Sequence, residues 1–75
     1  MSTIDVGQMI KERLDAEKRG ETWLAGEVKK NRSSVHNLLK KNSIDTETLL
    51  KISKALKFNF FKVYYDRVEE ELSKK

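Results

Sequence analysis

The amino-acid sequence predicts an all-α fold, a compact bundle of five short helices. The chain of 75 residues contains no proline and only three glycines, so few residues interrupt a helix. Apolar residues recur at intervals of three and four, the spacing of one face of an α-helix. Short polar segments divide this pattern into five parts, and short connections favour a bundle. The predicted helices are Val6–Lys18, Glu21–Val28, Arg32–Lys40, Thr46–Leu56 and Phe60–Leu72.

The first helix is predicted from Val6, Ile10 and Leu14, which lie four residues apart and form one apolar stripe. Gly20 follows, and we expect it to end this helix or to cap the next, because glycine adopts a positive φ at little cost. The chain is predicted to form a single domain, residues 1–75, in which the terminal residues 1–5 and 73–75 are expected to be frayed.

The second and third helices are predicted to form a helix-turn-helix over residues 21–40, with a turn of three or four residues. Asn31 is the predicted N-cap of the third helix, because its side chain can accept from exposed backbone N–H groups. The third helix has an inward face of Val35, Leu38 and Leu39. Its outward face is polar, lacks acidic residues and consists of Arg32, Ser33, His36 and Asn37. Such a helix suits the major groove of DNA.

The fourth helix is predicted to begin after Asp45, which is a good N-cap, and Glu47 is favourable in its first turn. Asn59 is expected to cap the fifth helix. The side chains of the fourth helix that are predicted to face inward are Leu49, Leu50, Ile52, Ala55 and Leu56. The fifth helix has its apolar residues on one side, and these are Phe60, Phe61, Tyr64, Val68 and Leu72.

Positive charge is concentrated in one segment. The net charge is +4, yet residues 10–21 and residues 62–75 each sum to zero. Residues 26–42 carry five basic side chains against Glu27 alone. The excess coincides with the helix-turn-helix, as expected of a surface that binds phosphates, although a basic solvated surface has the same composition.

Composition also argues against several classes of protein. The chain has no cysteine and one histidine, so neither a disulfide nor a thiolate metal site can form. It has no signal-peptide pattern and no apolar run of about 18 residues that could span a membrane, so a cytoplasmic protein is expected. No paired carboxylates, nucleophile–base spacing or phosphate loop indicates an enzyme. We therefore expect no enzymatic activity, cofactor, metal, membrane or small-molecule ligand.

Two stretches resemble a known family. Residues 22–40, TWLAGEVKKNRSSVHNLLK, followed by residues 45–56, DTETLLKISKAL, resemble the lambda-repressor-like, XRE-type (Cro/C1-type) helix-turn-helix family. Ala25 matches the small position of the first motif helix, with Val28 three residues on, and Val35 and Leu38 match the buried positions of the recognition helix. Residues 22–25 and 41–46 are similar to a subgroup of small stand-alone members.

The resemblance implies a transcriptional regulator, typically a repressor, that binds double-stranded DNA as a homodimer and is found with the nucleoid. By position, Arg32, Ser33, His36 and Asn37 are implied to contact base edges. The implied phosphate contacts come from the start of the first motif helix, the turn and the segment after the recognition helix. These residues are Thr22, Lys29, Lys30, Lys40, Lys41, Asn42 and Ser43.

Three positions depart from the family's pattern. Glu21 stands where members carry Gln or Ser beside a phosphate, and Thr22 is the expected substitute for that contact. Lys29 replaces a glycine in the turn, which favours a turn that is longer by one residue or differently shaped, because lysine rarely takes φ > 0. Leu14 and Leu39 replace an Arg–Glu pair, and an apolar contact can substitute for such a pair.

The sequence leaves open two questions about binding partners: where a dimer would form, and whether the fold binds a protein instead of DNA. Phe61, Tyr65, Val68 and Leu72 exceed what one small core can cover, so they are the expected dimer interface. Glu21 and the altered turn also favour a second hypothesis, in which the fold serves as a protein-interaction module, antitoxin-like or bound to a regulatory partner.

Overall fold

The computed structural model describes residues 4–74, and over this range all regular structure is helical. The predicted all-α class is therefore confirmed. Each of the five predicted helices is present, and two of them have the predicted bounds. The helices are α1 (Val6–Ala16), α2 (Glu21–Val28), α3 (Arg32–Leu39), α4 (Thr46–Leu56) and α5 (Phe61–Ser73).

One apolar core joins the first four helices. In α1 the predicted stripe of Val6, Ile10 and Leu14 is buried, and α2 to α4 each turn an apolar side toward it. Leu50 was predicted to face inward and is 46% exposed, because it lies off the stripe that buries Leu49 and Ile52. The buried apolar residues are Val6, Ile10, Leu14, Leu24, Ala25, Val28, Val35, Leu39, Leu49, Ile52, Leu56 and Phe60.

Side-chain caps start three of the helices. Asn31 Oδ1 accepts from Ser34 N at 2.7 Å, and Asp45 Oδ2 accepts from Thr48 N at 3.0 Å, as predicted. Asp5 caps α1 in the same way, accepting from Gln8 N at 3.1 Å. Asp5 belongs to the segment for which fraying is predicted, and that stays a prediction; residues 1–3 and 75 lie outside the described part.

The bond from the Thr48 backbone N–H lowers the pKa of Asp45 from its ordinary 3.8, and the Thr48 hydroxyl adds to this effect. Since folding lowers this pKa, the stabilising effect of the charged cap is present above the ordinary value. It is lost as the pH falls through the folded-state pKa.

A lysine with a positive φ lies within two residues after the end of three helices. Lys18, Lys29 and Lys57 have φ of 57°, 59° and 54°, whereas no described glycine has a positive φ. Helix α1 accordingly ends at Ala16, two residues before the predicted end. Gly20 is extended, with φ −107°, and serves as the N-cap of α2.

The fifth helix contacts the core through Phe60, which precedes it, and through the half-buried Phe61 and Tyr64. Phe60 is buried and precedes the first helical residue, Phe61, whose N–H donates to Asn59 Oδ1 at 3.0 Å. No residue of α5 itself is buried. Partial burial raises the pKa of Tyr64, with a smaller contribution from the carboxylate of Asp5. The helix continues through Ser73, beyond the predicted end at Leu72.

Gly7 allows the backbone of α1 to touch the end of α3. A Cβ at this position would lie 2.5 Å from the carbonyl oxygen of Leu39 and closer still to that of Lys41. Both atoms belong to the backbone, so neither can move aside as a flexible side chain could. This contact fixes the start of the segment that follows α3.

We expect Gly7→Ala to lower the free energy of unfolding by about 2 kcal/mol or more, because the added methyl group forces α1 and α3 apart. Gly26→Ala is the matched control. It lies inside α2 with open space around the added methyl group, so it should raise stability by about 0.5–1 kcal/mol. Urea unfolding followed by circular dichroism measures both changes. Similar stability of the two variants would contradict the close contact at Gly7.

Candidate nucleic-acid interface

The packing of α3 against the core buries one face of the helix and leaves the opposite face exposed. Val35 and Leu39 are buried, Leu38 is half-buried, and the opposite side faces solvent. The four side chains predicted to contact bases lie together on that side and line one shallow cavity of about 280 Å³. We call them the recognition face: Arg32, Ser33, His36 and Asn37.

The turn between α2 and α3 is three residues long. Lys29 has the left-handed conformation usually taken by glycine, and the N–H of Lys30 donates to the carbonyl of Ala25 at 3.0 Å. Asn31 then caps α3. The departure at Lys29 therefore does not lengthen the turn, because lysine adopts the required conformation at a cost of about 1–2 kcal/mol.

Four exposed lysines flank the recognition face along the chain. We call them the basic flank: Lys29, Lys30, Lys40 and Lys41. Two lie in the turn before α3, and two lie at and beyond its C-terminus. Thr22 in the first turn of α2 is also exposed, as are Asn42 and Ser43 after α3. Every side chain predicted to contact phosphate is thus accessible to solvent.

A contact between Glu21 and His36 was not anticipated from the sequence. Nδ1 of His36 lies 3.1 Å from Oε1 and 3.3 Å from Oε2 of Glu21. The Glu21 side chain is 26% exposed and that of His36 is 52% exposed. The residues are 15 positions apart, and only the crossing of α2 and α3 brings them together. The carboxylate that departs from the family's pattern therefore lies against the recognition face.

Leu14 and Leu39 both belong to the buried core, with 3% and 2% exposure. They occupy the positions at which the resemblance implies an Arg–Glu pair. The core here is apolar at this point, in agreement with the expected substitution, and no buried charge needs a partner.

A larger, open groove of about 590 Å³ lies between the start of α1 and α5. Ile4, Met9 and Val63 contribute its apolar part. Its charged residues are mostly acidic (Asp5, Asp66 and Glu70, with Arg67), which does not suit a phosphate ligand.

Two further properties concern the described residues as a whole. Residues 4–74 contain no cluster of three His, Cys, Asp or Glu side chains able to hold a metal ion. None of the helices in that range is long and apolar enough to cross a membrane.

Comparison with known proteins identifies no relative of this chain. Searches of protein-family models, of curated proteins and of solved structures each found no match to this chain. The resemblance to the XRE-type family therefore stays a prediction that depends on the residues quoted above.

Replacing Lys29 by glycine is expected to stabilise the protein by about 0.5–1 kcal/mol, because relief of the left-handed strain exceeds the greater freedom of glycine in the unfolded chain. Lys51→Gly, in the middle of α4, removes the same side chain from an ordinary helical position and should destabilise by about 1 kcal/mol. Thermal unfolding measures both. Equal destabilisation by the two changes would show that Lys29 is not strained.

Proposed function

We propose that this protein is a sequence-specific DNA-binding protein without enzymatic activity, which regulates transcription as a repressor of the XRE type. In this proposal α3 enters the major groove of double-stranded DNA in the cytoplasm, and no cofactor takes part. The observation that carries it is the recognition face, a cluster of exposed hydrogen-bonding side chains on a helix whose other side is buried.

The chemistry of the recognition face supports base contacts. The Arg32 guanidinium can donate to O6 and N7 of guanine together, and the Asn37 amide can bond N6 and N7 of adenine. The helix has no acidic side chain that would repel the DNA backbone. The basic flank supplies attraction to phosphates, which positions the protein without selecting sequence.

We expect duplex binding to weaken about a hundredfold between about 50 and 200 mM salt, if the four lysines neutralise one phosphate each. Arg32→Ala should cost about 1–3 kcal/mol and relax base preference, whereas Lys40→Ala should weaken all sequences alike and reduce the salt slope by about 1. Fluorescence anisotropy with mixed and selected duplexes measures these effects.

Lys51→Ala is the control for that experiment, because it removes an exposed lysine from α4 and should change neither affinity nor salt slope. Absence of binding by the folded protein at the lowest salt would exclude duplex DNA as its partner. The basic flank favours, in that case, a partner protein with an acidic surface.

A homodimer is part of the proposal, and α5 is its proposed interface. The α5 stripe consists of Phe61, Tyr65, Val68 and Leu72, spaced four, three and four residues apart as in a coiled-coil seam. Tyr65, Val68 and Leu72 are 65%, 53% and 61% exposed. Such a stripe is costly to leave in water, and a second copy offers a matching surface.

Charge favours an antiparallel pairing of the two α5 helices. Lys62 and Glu69 lie on the same edge of the stripe, two turns apart. When two helices run antiparallel, like edges meet, so Lys62 of each copy approaches Glu69 of the other. The bond from Lys62 to Asp66 in one copy joins two exposed groups and is weak enough to be shared. This pairing has two-fold symmetry, as a palindromic DNA site requires.

Val68→Lys is expected to weaken self-association at least about tenfold, because it places two charges in the centre of the seam. Leu50→Lys introduces the same side chain at an exposed leucine on α4 and should leave association unchanged. Sedimentation equilibrium measures both variants, with and without duplex DNA. A wild-type protein that stays monomeric even on DNA would contradict the dimer while leaving the DNA proposal intact.

A further inference from the structure

We propose that Glu21 and His36 act as a unit that determines which base the recognition face selects, and that this selection changes with pH. The inference rests on the proposed function, because it requires α3 to lie in the major groove. It assigns a positioning role to Glu21, the residue that departs from the family's pattern, and a specificity-determining role to His36.

The contact with Glu21 determines that Nδ1 of the His36 ring is protonated. The carboxylate of Glu21 can only accept, and both of its oxygens lie within hydrogen-bond distance of Nδ1 of His36. Nδ1 must therefore carry a hydrogen whether the ring is neutral or charged. Glu21 is in the first turn of α2, a helix anchored by Leu24, Ala25 and Val28, so its backbone is held in place.

The opposite nitrogen, Nε2, has no hydrogen-bond partner among residues 4–74. Because Nδ1 carries the hydrogen, Nε2 of the neutral ring is an acceptor. Protonation of the ring turns Nε2 into a donor. One position on the recognition face thus exchanges acceptor for donor as the pH falls.

Bases present different atoms to these two forms. An acceptor is complementary to the amino groups of cytosine and adenine in the major groove. A donor is complementary to N7 of either purine, O6 of guanine or O4 of thymine. Adenine can bond either form, so a single histidine discriminates by favouring cytosine when neutral and guanine or thymine when charged.

The other charged groups around the pair do not compete for the same bond. On α3, Arg32 and Lys40 lie one turn to either side of His36. Toward α1, the cavity beside Glu21 is lined by Lys11, Asp15 and Arg19. Arg19 stacks over the Trp23 ring at 4.1 Å and lies 3.5 Å from a Glu17 oxygen, so it is engaged away from Glu21.

The chain's single histidine allows a direct first test. Nitrogen NMR of the wild-type protein at pH 8 should show the neutral His36 ring protonated at Nδ1. Glu21→Ala should shift it toward the Nε2–H form that a free imidazole favours. Glu27→Ala removes the same charge from the same helix and should have no effect. An Nε2–H ring in the folded wild type would overturn the proposal.

The second test is selection of duplexes from a random library at pH 8 and at pH 5.5. We expect one position of the preferred site to change from cytosine to guanine or thymine, with a preference of about fivefold on each side. His36→Gln should abolish the change, and Glu21→Ala should abolish the high-pH preference, whereas Glu27→Ala retains both.

The outcomes separate this inference from the proposed function. Binding of duplexes with the same preference at both pH values would overturn the inference alone. Stronger binding at pH 5.5 with unchanged preference would also overturn it, since it would show that His36 contacts a phosphate. Failure to bind any duplex at either pH would overturn the proposed function, and with it this inference.

Discussion

The burial of Val35 and Leu39 is the interaction on which the rest of the structure depends. These two side chains attach α3 to the core formed with α1, α2 and α4, and an eight-residue helix would not persist in water without them. Because they occupy one side of the helix, the other side must face solvent. The exposed position of Arg32, His36 and their neighbours is thus a consequence of core packing. Gly7 completes the arrangement by bringing α1 against the last carbonyl groups of α3.

The short connections between helices impose a second constraint, because they need a residue in the left-handed conformation near the end of a helix. In this chain lysines take that conformation. The ends of α1, α2 and α4 each include a lysine in the left-handed conformation, a strained choice compared with glycine. A lysine there also places a positive charge near the carbonyl end of the helix dipole, which offsets part of the strain. At Lys29 the same residue belongs to the basic flank. One side chain thus ends a helix and adds to the charge that the proposed function uses.

One structural feature affects the recognition face, and a second affects the proposed dimer interface. The contact between Glu21 and His36 places the carboxylate beside the proposed DNA surface and holds the imidazole in one orientation. At the other end of the chain, α5 buries no residue of its own and exposes Tyr65, Val68 and Leu72, three of the four members of the α5 stripe. The core that supports α3 therefore does not depend on the outer side of α5, which leaves this side available for association.

The sequence by itself determined the helical class, the position of each helix to within two residues at either end and most of the core. This was possible because the apolar spacing and the caps Asn31 and Asp45 act locally, within one or two turns. It also indicated which side of α3 faces solvent. Tertiary structure alone decided the rest. The left-handed lysines, the contact at Gly7 and the exposure of Leu50 depend on where neighbouring helices lie. The pairing of Glu21 with His36 depends on the crossing of two helices, because no local pattern relates residues 15 positions apart.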